Sequence, residues 1–142
     1  DENTYEFKLG KGVVLSEGKD VTIIATGIMV DAAIEAKDIL ANEGINAKVI
    51  NIHTIKPLDS ELIIEAAKET GAIVTAEEHS VIGGLGSAVA EAVTEKYPVP
   101  VLKVGVNDVF GESGKPDELL KAYNLTAQDI VNKVKEAITL KK

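Results

Sequence analysis

Short runs of β-type residues alternate with segments of helical period along the whole chain, and this alternation most constrains its fold. Five stretches read as strands: Val13–Leu15, Val21–Thr26, Lys48–Ile52, Ala72–Ala76 and Val101–Val106. Ile23-Ile24 and Val49-Ile50 send apolar side chains to both faces of the sheet. Strands covered by helices on each side need that pattern, whereas an edge strand alternates more strictly. These two strands are expected to be internal.

The intervening segments carry helical signals. Met29, Ala33, Ala36 and Leu40 recur at steps of three and four, while Asp31, Glu35, Asp38 and Asn42 fall on other faces. Gly44 closes this helix. A second helix opens at Asp59, whose carboxylate can accept free backbone N–H groups, and stops at Gly71. A third spans about Ser87 to Tyr97, and a short fourth begins at Pro116. The last opens on Thr126-Ala127-Gln128-Asp129, a capping box, with Leu125 placed to pack on Ile130. Ile130, Val134, Ala137 and Ile138 supply its buried stripe. The expected fold is α/β: three layers, α/β/α, around a mostly parallel sheet of about five strands.

The chain has 142 residues, enough for one domain with a sizeable core. We expect residues 1–142 to form a single domain, and the start at Asp1 to be a cut from a longer chain. The net charge is −8 and no arginine occurs. A nucleic-acid partner is therefore not expected, since phosphate binding needs a basic surface and arginine is the preferred base reader. Cysteine is absent, which removes disulfides, thiol chemistry and thiolate metal sites. No apolar run reaches the roughly 18 residues of a membrane span, and a cytoplasmic, membrane-free protein is expected.

In sheets of this kind, ligands favour the C-terminal ends of the strands. The segment after Ala76 is the richest there: Glu77, Glu78, His79, Ser80, Val81, Ile82, Gly83, Gly84, Leu85, Gly86 and Ser87. Its glycines admit two readings. Bare backbone N–H groups before a helix attract anions, and glycines also permit a tight turn and close packing of helix on sheet. The second reading is preferred, because a dinucleotide fingerprint would want a third glycine where Val89 stands. Glu77, Glu78 and His79 could form an acid–base group, or a hydrogen-bonded cluster that anchors the loop or faces a neighbouring domain. The latter is preferred. Extended backbone would send Glu77 and His79 to one side and Glu78 to the other.

Other motifs fail on their own terms. His53 ends another strand, but nothing in the sequence brings it to His79 as a metal site. The run Gly12–Lys19 has five residues between its glycines, and Asp20 stands where a P-loop places a hydroxyl. There is no Gly-x-Ser-x-Gly elbow. No catalytic, cofactor-binding or metal-ligating residue is assigned. Glu77, Glu78, His79, Gly83, Gly84, Gly86 and Ser87 stand as the candidate interface or anion site.

Two motifs in order carry a resemblance. Thr54-Ile55-Lys56-Pro57-Leu58-Asp59 and, some twenty residues on, Glu77-Glu78-His79 with Gly83-Gly84-Leu85-Gly86-Ser87 resemble the C-terminal domain of the transketolase superfamily. That superfamily includes transketolases, 1-deoxy-xylulose-5-phosphate synthases and the β subunits of 2-oxoacid dehydrogenases. The likeness runs from about Tyr5 to Ala137. The dehydrogenase β subunits usually carry Arg where this chain has His53. Asn51–Asp59, Glu77–Ser80 and Asp108–Gly114 look most like transketolases of the short, split type, whose pyrimidine-binding and C-terminal domains form one subunit and whose diphosphate-binding domain forms another.

The resemblance implies a parent enzyme that transfers a two-carbon ketol unit between sugar phosphates, using thiamine diphosphate and a divalent metal, Mg. It implies pyrimidine- and diphosphate-binding domains as partners, and a homo-oligomer. The family's metal–diphosphate signature has no match in this chain. The glutamate that activates the cofactor belongs to the pyrimidine domain. The resemblance therefore implies a role in assembly, without catalysis by the chain alone.

Overall fold

The computed structural model describes residues 11–53, 58–80, 84–106 and 126–141, with the backbone only at residues 79, 80 and 106. Strands β1 (Val13–Ser16), β2 (Val21–Ala25), β3 (Ala47–Asn51), β4 (Ile73–Ser80) and β5 (Val101–Val106) form one sheet in the order β1-β3-β2-β4-β5. β1 runs antiparallel to β3, and the other pairings are parallel. The expected α/β class and mostly parallel sheet are observed. β2 and β3 each have a neighbour on both sides, as their two-faced apolar pattern requires.

Helices α1 (Met29–Asn42), α2 (Ser60–Thr70), α3 (Leu85–Lys96) and α4 (Ala127–Thr139) cover the sheet. Val21, Ile23, Ala25, Val49 and Val74 point to one face, where α1 and α4 bury Met29, Ala33, Leu40, Ile130 and Val134. Ile24, Ile50 and Ile73 point to the other, under Ile63 and Ala66 of α2 and Leu85, Val89 and Val93 of α3. The period-2 alternation of each strand thus divides the core into two layers.

Local signals set the helix ends. The Asp59 side chain accepts from Leu62 N, and Gly71 closes α2 with φ +75°. At α4, Thr126 N donates to Asp129 Oδ2 at 2.9 Å and Asp129 N donates to Thr126 Oγ1 at 3.4 Å, which is the expected capping box. The helix expected at Pro116, and the staple residue Leu125, lie outside the described residues.

Two expected boundaries are corrected. β4 continues to Ser80 instead of stopping at Ala76, and α3 begins at Leu85 instead of Ser87. Both shifts meet at Glu77, whose carboxylate accepts from Leu85 N and Gly86 N at the start of α3, so a charged residue stays in the sheet. Strand pairing with β5 resumes at Ser80↔Val106 after an irregularity beyond Ala76.

One charged residue inside a strand went unremarked in the sequence. Lys48 of β3 lies on the α2 side with only 7% of its side chain exposed, and its Nζ reaches Glu17 Oε1 at 3.1 Å and Glu69 Oε1 at 3.2 Å. It ties the end of β1 and the end of α2 to β3. Burial alone would lower its pKa, but the hydrogen bonds and charges of Glu17 and Glu69 outweigh this and raise it. A raised pKa in the folded state means that the stabilisation is full below the unfolded lysine value, about 10.4. It is lost as pH climbs through the folded value. Wild type should therefore lose stability in the strongly alkaline range. A Lys48→Met chain should lose less there when the two are compared by denaturant titration at successive pH values.

Candidate functional site

The connections place a topological switch point at the centre of the sheet. From β2 the chain passes through α1 to β3 on one side; from β3 it passes through α2 to β4 on the other side of β2. Right-handed crossovers put those helices on opposite faces, as the two core layers confirm. The C-terminal ends of β2 and β4 thus border the crevice where such folds place ligands. Thr26 N donates to Ala76 O at 3.2 Å across this gap. Beyond it lie Gly27 and Ile28 from β2, and Glu77 and Glu78 from β4.

The adjacent glutamates diverge, as extended backbone dictates. Glu77 follows Ile73 and Thr75 onto the α3 face and is 1% exposed. Its two carboxylate oxygens accept from Leu85 N at 2.8 Å and Gly86 N at 2.9 Å. Those are donors in the first turn of α3, which no intrahelical carbonyl can satisfy. The cap residue Gly84 has no side chain to do so. A buried carboxylate is thus held by two charge-assisted hydrogen bonds and the positive end of a helix. Glu78 takes the opposite side, half-buried, with Oε1 2.7 Å from where a Cβ on Gly27 would lie. Gly27 has φ +56° and immediately precedes the first turn of α1. Each glutamate therefore reaches towards the start of one helix, on opposite faces of the sheet.

Gly86 permits the close seating of α3. A Cβ there would come within 2.7 Å of Lys103 Cγ and 2.9 Å of Thr75 Oγ1. The stem of Lys103, from β5, lies across this contact, and its Nζ approaches Ser87 Oγ at 3.5 Å. Thr75 and Lys103 are directly paired across β4 and β5. Sequence reasoning passed over both residues. The one available signal was a lone lysine in the otherwise apolar run Val101–Val106.

The candidate residues are thus brought together only in part. Glu77, Gly84, Gly86 and Ser87 meet at the start of α3, and Glu78 stands at the start of α1. His79 occupies a position in β4, but its side chain and Gly83 lie outside the described residues. His53, exposed, follows β3, which is separated from β4 by β2. The two histidine positions are therefore not on neighbouring strands. Among the described residues, no three His, Asp or Glu side chains converge as metal ligands. These residues do not fit a magnesium–diphosphate group. Also among the described residues, no helix is long and apolar enough to cross a membrane.

Fold and site together define a doubly wound α/β domain whose switch-point crevice is lined by its own carboxylates. The chain belongs to the family described as transketolase, C-terminal domain, which it matches over residues 10–130. It is 54% identical over 136 residues to the 6-deoxy-6-sulfo-D-fructose transketolase subunit SqwH of Clostridium sp. (strain MSTE9), covering 96% of this chain and 42% of that protein. It is 44% identical over 137 residues to the 1-deoxy-D-xylulose-5-phosphate synthase of Heliobacterium modesticaldum (strain ATCC 51547 / Ice1), covering 96% of this chain and 21% of that protein. A solved structure described as a split-gene transketolase, inactive β4 tetramer, superposes with a TM-score of 0.94 at 60% identity. That match covers 97% of this chain and 45% of the other. The chain thus spans less than half the length of each of these relatives.

Proposed function

We propose that this chain is the C-terminal domain of a transketolase of the split type, serving assembly and domain packing within an enzyme whose catalytic groups lie elsewhere. The observation that carries this reading is the 60% identity and 0.94 TM-score with a split-gene transketolase, of which the chain accounts for 45%. The parent enzyme transfers a two-carbon ketol unit between sugar phosphates, using thiamine diphosphate and magnesium bound by its pyrimidine- and diphosphate-binding domains. Those domains are the partners of this one, and the assembly is a homo-oligomer with respect to this chain. The relative described as an inactive β4 tetramer supports a fragment that assembles without activity.

Calorimetric titration of the chain with thiamine diphosphate and magnesium should give no saturable heat. Tight binding would overturn the proposal. The 44% identity to a deoxyxylulose-phosphate synthase favours a second reading, a C-terminal domain of that enzyme. The assembled enzyme separates the two. A transketolase moves a ketol unit from a ketose phosphate to an aldose phosphate, whereas the synthase makes 1-deoxy-D-xylulose 5-phosphate.

A further inference from the structure

The Asp59 carboxylate holds two elements at once. Its Oδ1 accepts from Leu62 N at 3.4 Å, the bond expected of an N-cap, while its Oδ2 accepts from Gly12 N at the shorter distance of 2.9 Å. A hydroxyl caps a helix about as well as a carboxylate, so capping alone leaves the second oxygen unexplained. That oxygen holds the residue just ahead of β1, 47 positions away in sequence. A second observation comes from packing. A Cβ on Gly12 would lie 2.7 Å from Ile52 Cδ1 and 2.9 Å from Leu62 Cδ2, so the entering backbone is pressed against the layer under α2. Strand pairing fixes this stretch weakly by comparison, because β1 is a four-residue edge strand whose register shifts between Val14 and Ser16. β1 also runs antiparallel to β3, with Val13 opposite Asn51, the last residue of β3. The chain therefore enters at the C-terminal end of the parallel strands, where the crevice opens.

We propose that Asp59 is a positioning residue: its carboxylate latches the entering chain to the start of α2, and so sets the direction from which a preceding domain is joined. A hydrogen bond to a charged group at this junction removes freedom that a short edge strand alone would leave. The latch itself rests on the geometry of Gly12, Asp59 and Leu62. What it positions rests on the proposed function, under which a pyrimidine-binding domain precedes this one in the same subunit. That domain is then joined at the crevice end of the sheet, which also carries the exposed His53. The opposite end, with the exposed Tyr97 and Leu140 beside Gly71, is left to other contacts.

Asp59→Ser separates the latch from the cap, because a single hydroxyl can accept from Leu62 N but is too short to hold Gly12 N as well. Amide exchange at Gly12 should become roughly tenfold faster, from the loss of a hydrogen bond to a charged group. Exchange at Leu62 should change less than about twofold, since serine still caps. The chain has no cysteine, so spin labels at Lys11→Cys and Glu91→Cys, both exposed positions, report the direction of entry. Their distance distribution should widen in Asp59→Ser. Unchanged exchange at Gly12, or an unchanged distribution, overturns the latch. If Asp59→Ser does not fold, Asp59→Asn takes its place, with one acceptor oxygen for two donors. Faster exchange at Gly12 or Leu62 then supports the shared carboxylate, and unchanged exchange at both overturns it. The same Asp59→Ser change in the two-subunit enzyme tests what is positioned. Ketol transfer should fall roughly tenfold at a temperature where the melting curve shows the variant folded, and undiminished transfer overturns the positioning role. If the wild-type subunits together transfer no ketol unit, the proposed function fails, while exchange and label distances still decide the latch.

Discussion

A Gly86→Val chain is expected to melt about 12 °C below wild type, a loss of about 4 kcal/mol. The added Cβ alone would sit 2.7 and 2.8 Å from Lys103 Cγ and Cδ and 2.9 Å from Thr75 Oγ1. The stem of Lys103 near its own backbone cannot swing clear as a side-chain tip would, and Thr75 belongs to a central strand. The start of α3 must then lift from the sheet. Overpacking of this kind costs about 1–3 kcal/mol. Lifting also pulls Leu85 N and Gly86 N away from Glu77, and each hydrogen bond to a charged group contributes about 1.5–3 kcal/mol. The two terms share one movement and are not simply additive. A double-mutant cycle separates them: Gly86→Ala should cost less in a Lys103→Ala background, where the nearest obstacle is gone. Equal costs in both backgrounds would show that Lys103 does not set the seating of α3.

The second large effect belongs to the opposite core layer. Ile23 lies midway along β2, paired with Val49 on β3 and Val74 on β4, with no exposed surface. Its side chain is enclosed by the layer that α1 and α4 complete. Ile23→Ala removes three buried carbons where neighbouring strands cannot close the gap, and should cost about 3–4 kcal/mol. Leu15 is the control. It is 42% exposed on β1 at the sheet edge, and Leu15→Ala should cost about 1 kcal/mol or less. Denaturant midpoints for the two variants should differ accordingly. Similar losses would contradict the assignment of β2 to the centre and β1 to the edge.

The sequence resolved those features whose causes are local. The alternation of strand and helix, the two-faced apolar runs at Ile23-Ile24 and Val49-Ile50, the Asp59 and Thr126 caps and the Gly71 stop each depend on a few neighbouring residues. The end of β4 was not legible in this way. Glu77 and Glu78 look like the polar start of a loop until Leu85 N and Gly86 N are seen to donate to the Glu77 carboxylate and hold it in the core. Lys48 escaped notice for the same reason, since its partners Glu17 and Glu69 lie 31 and 21 residues away in sequence. The glycine turn remained divided between anion binding and close packing because composition cannot show what the amides contact. Of the candidate residues, Glu77, Gly84, Gly86 and Ser87 meet at the start of α3, while the neighbours Gly27, Thr75 and Lys103 come from other strands and loops.

Family membership follows from the match over residues 10–130, whereas the activity of the whole enzyme is a proposal that reconstitution can decide. Under that proposal, the chain alone, a subunit joining it to a pyrimidine-binding domain, and a subunit with a diphosphate-binding domain should each be assayed for ketol transfer. The assay should contain thiamine diphosphate, magnesium, a ketose phosphate donor and an aldose phosphate acceptor. The account predicts no transfer from the chain or from either subunit alone, and transfer when the two subunits are combined. Ketol transfer by the chain alone, or undiminished transfer by the combined subunits after this domain is deleted, would contradict it.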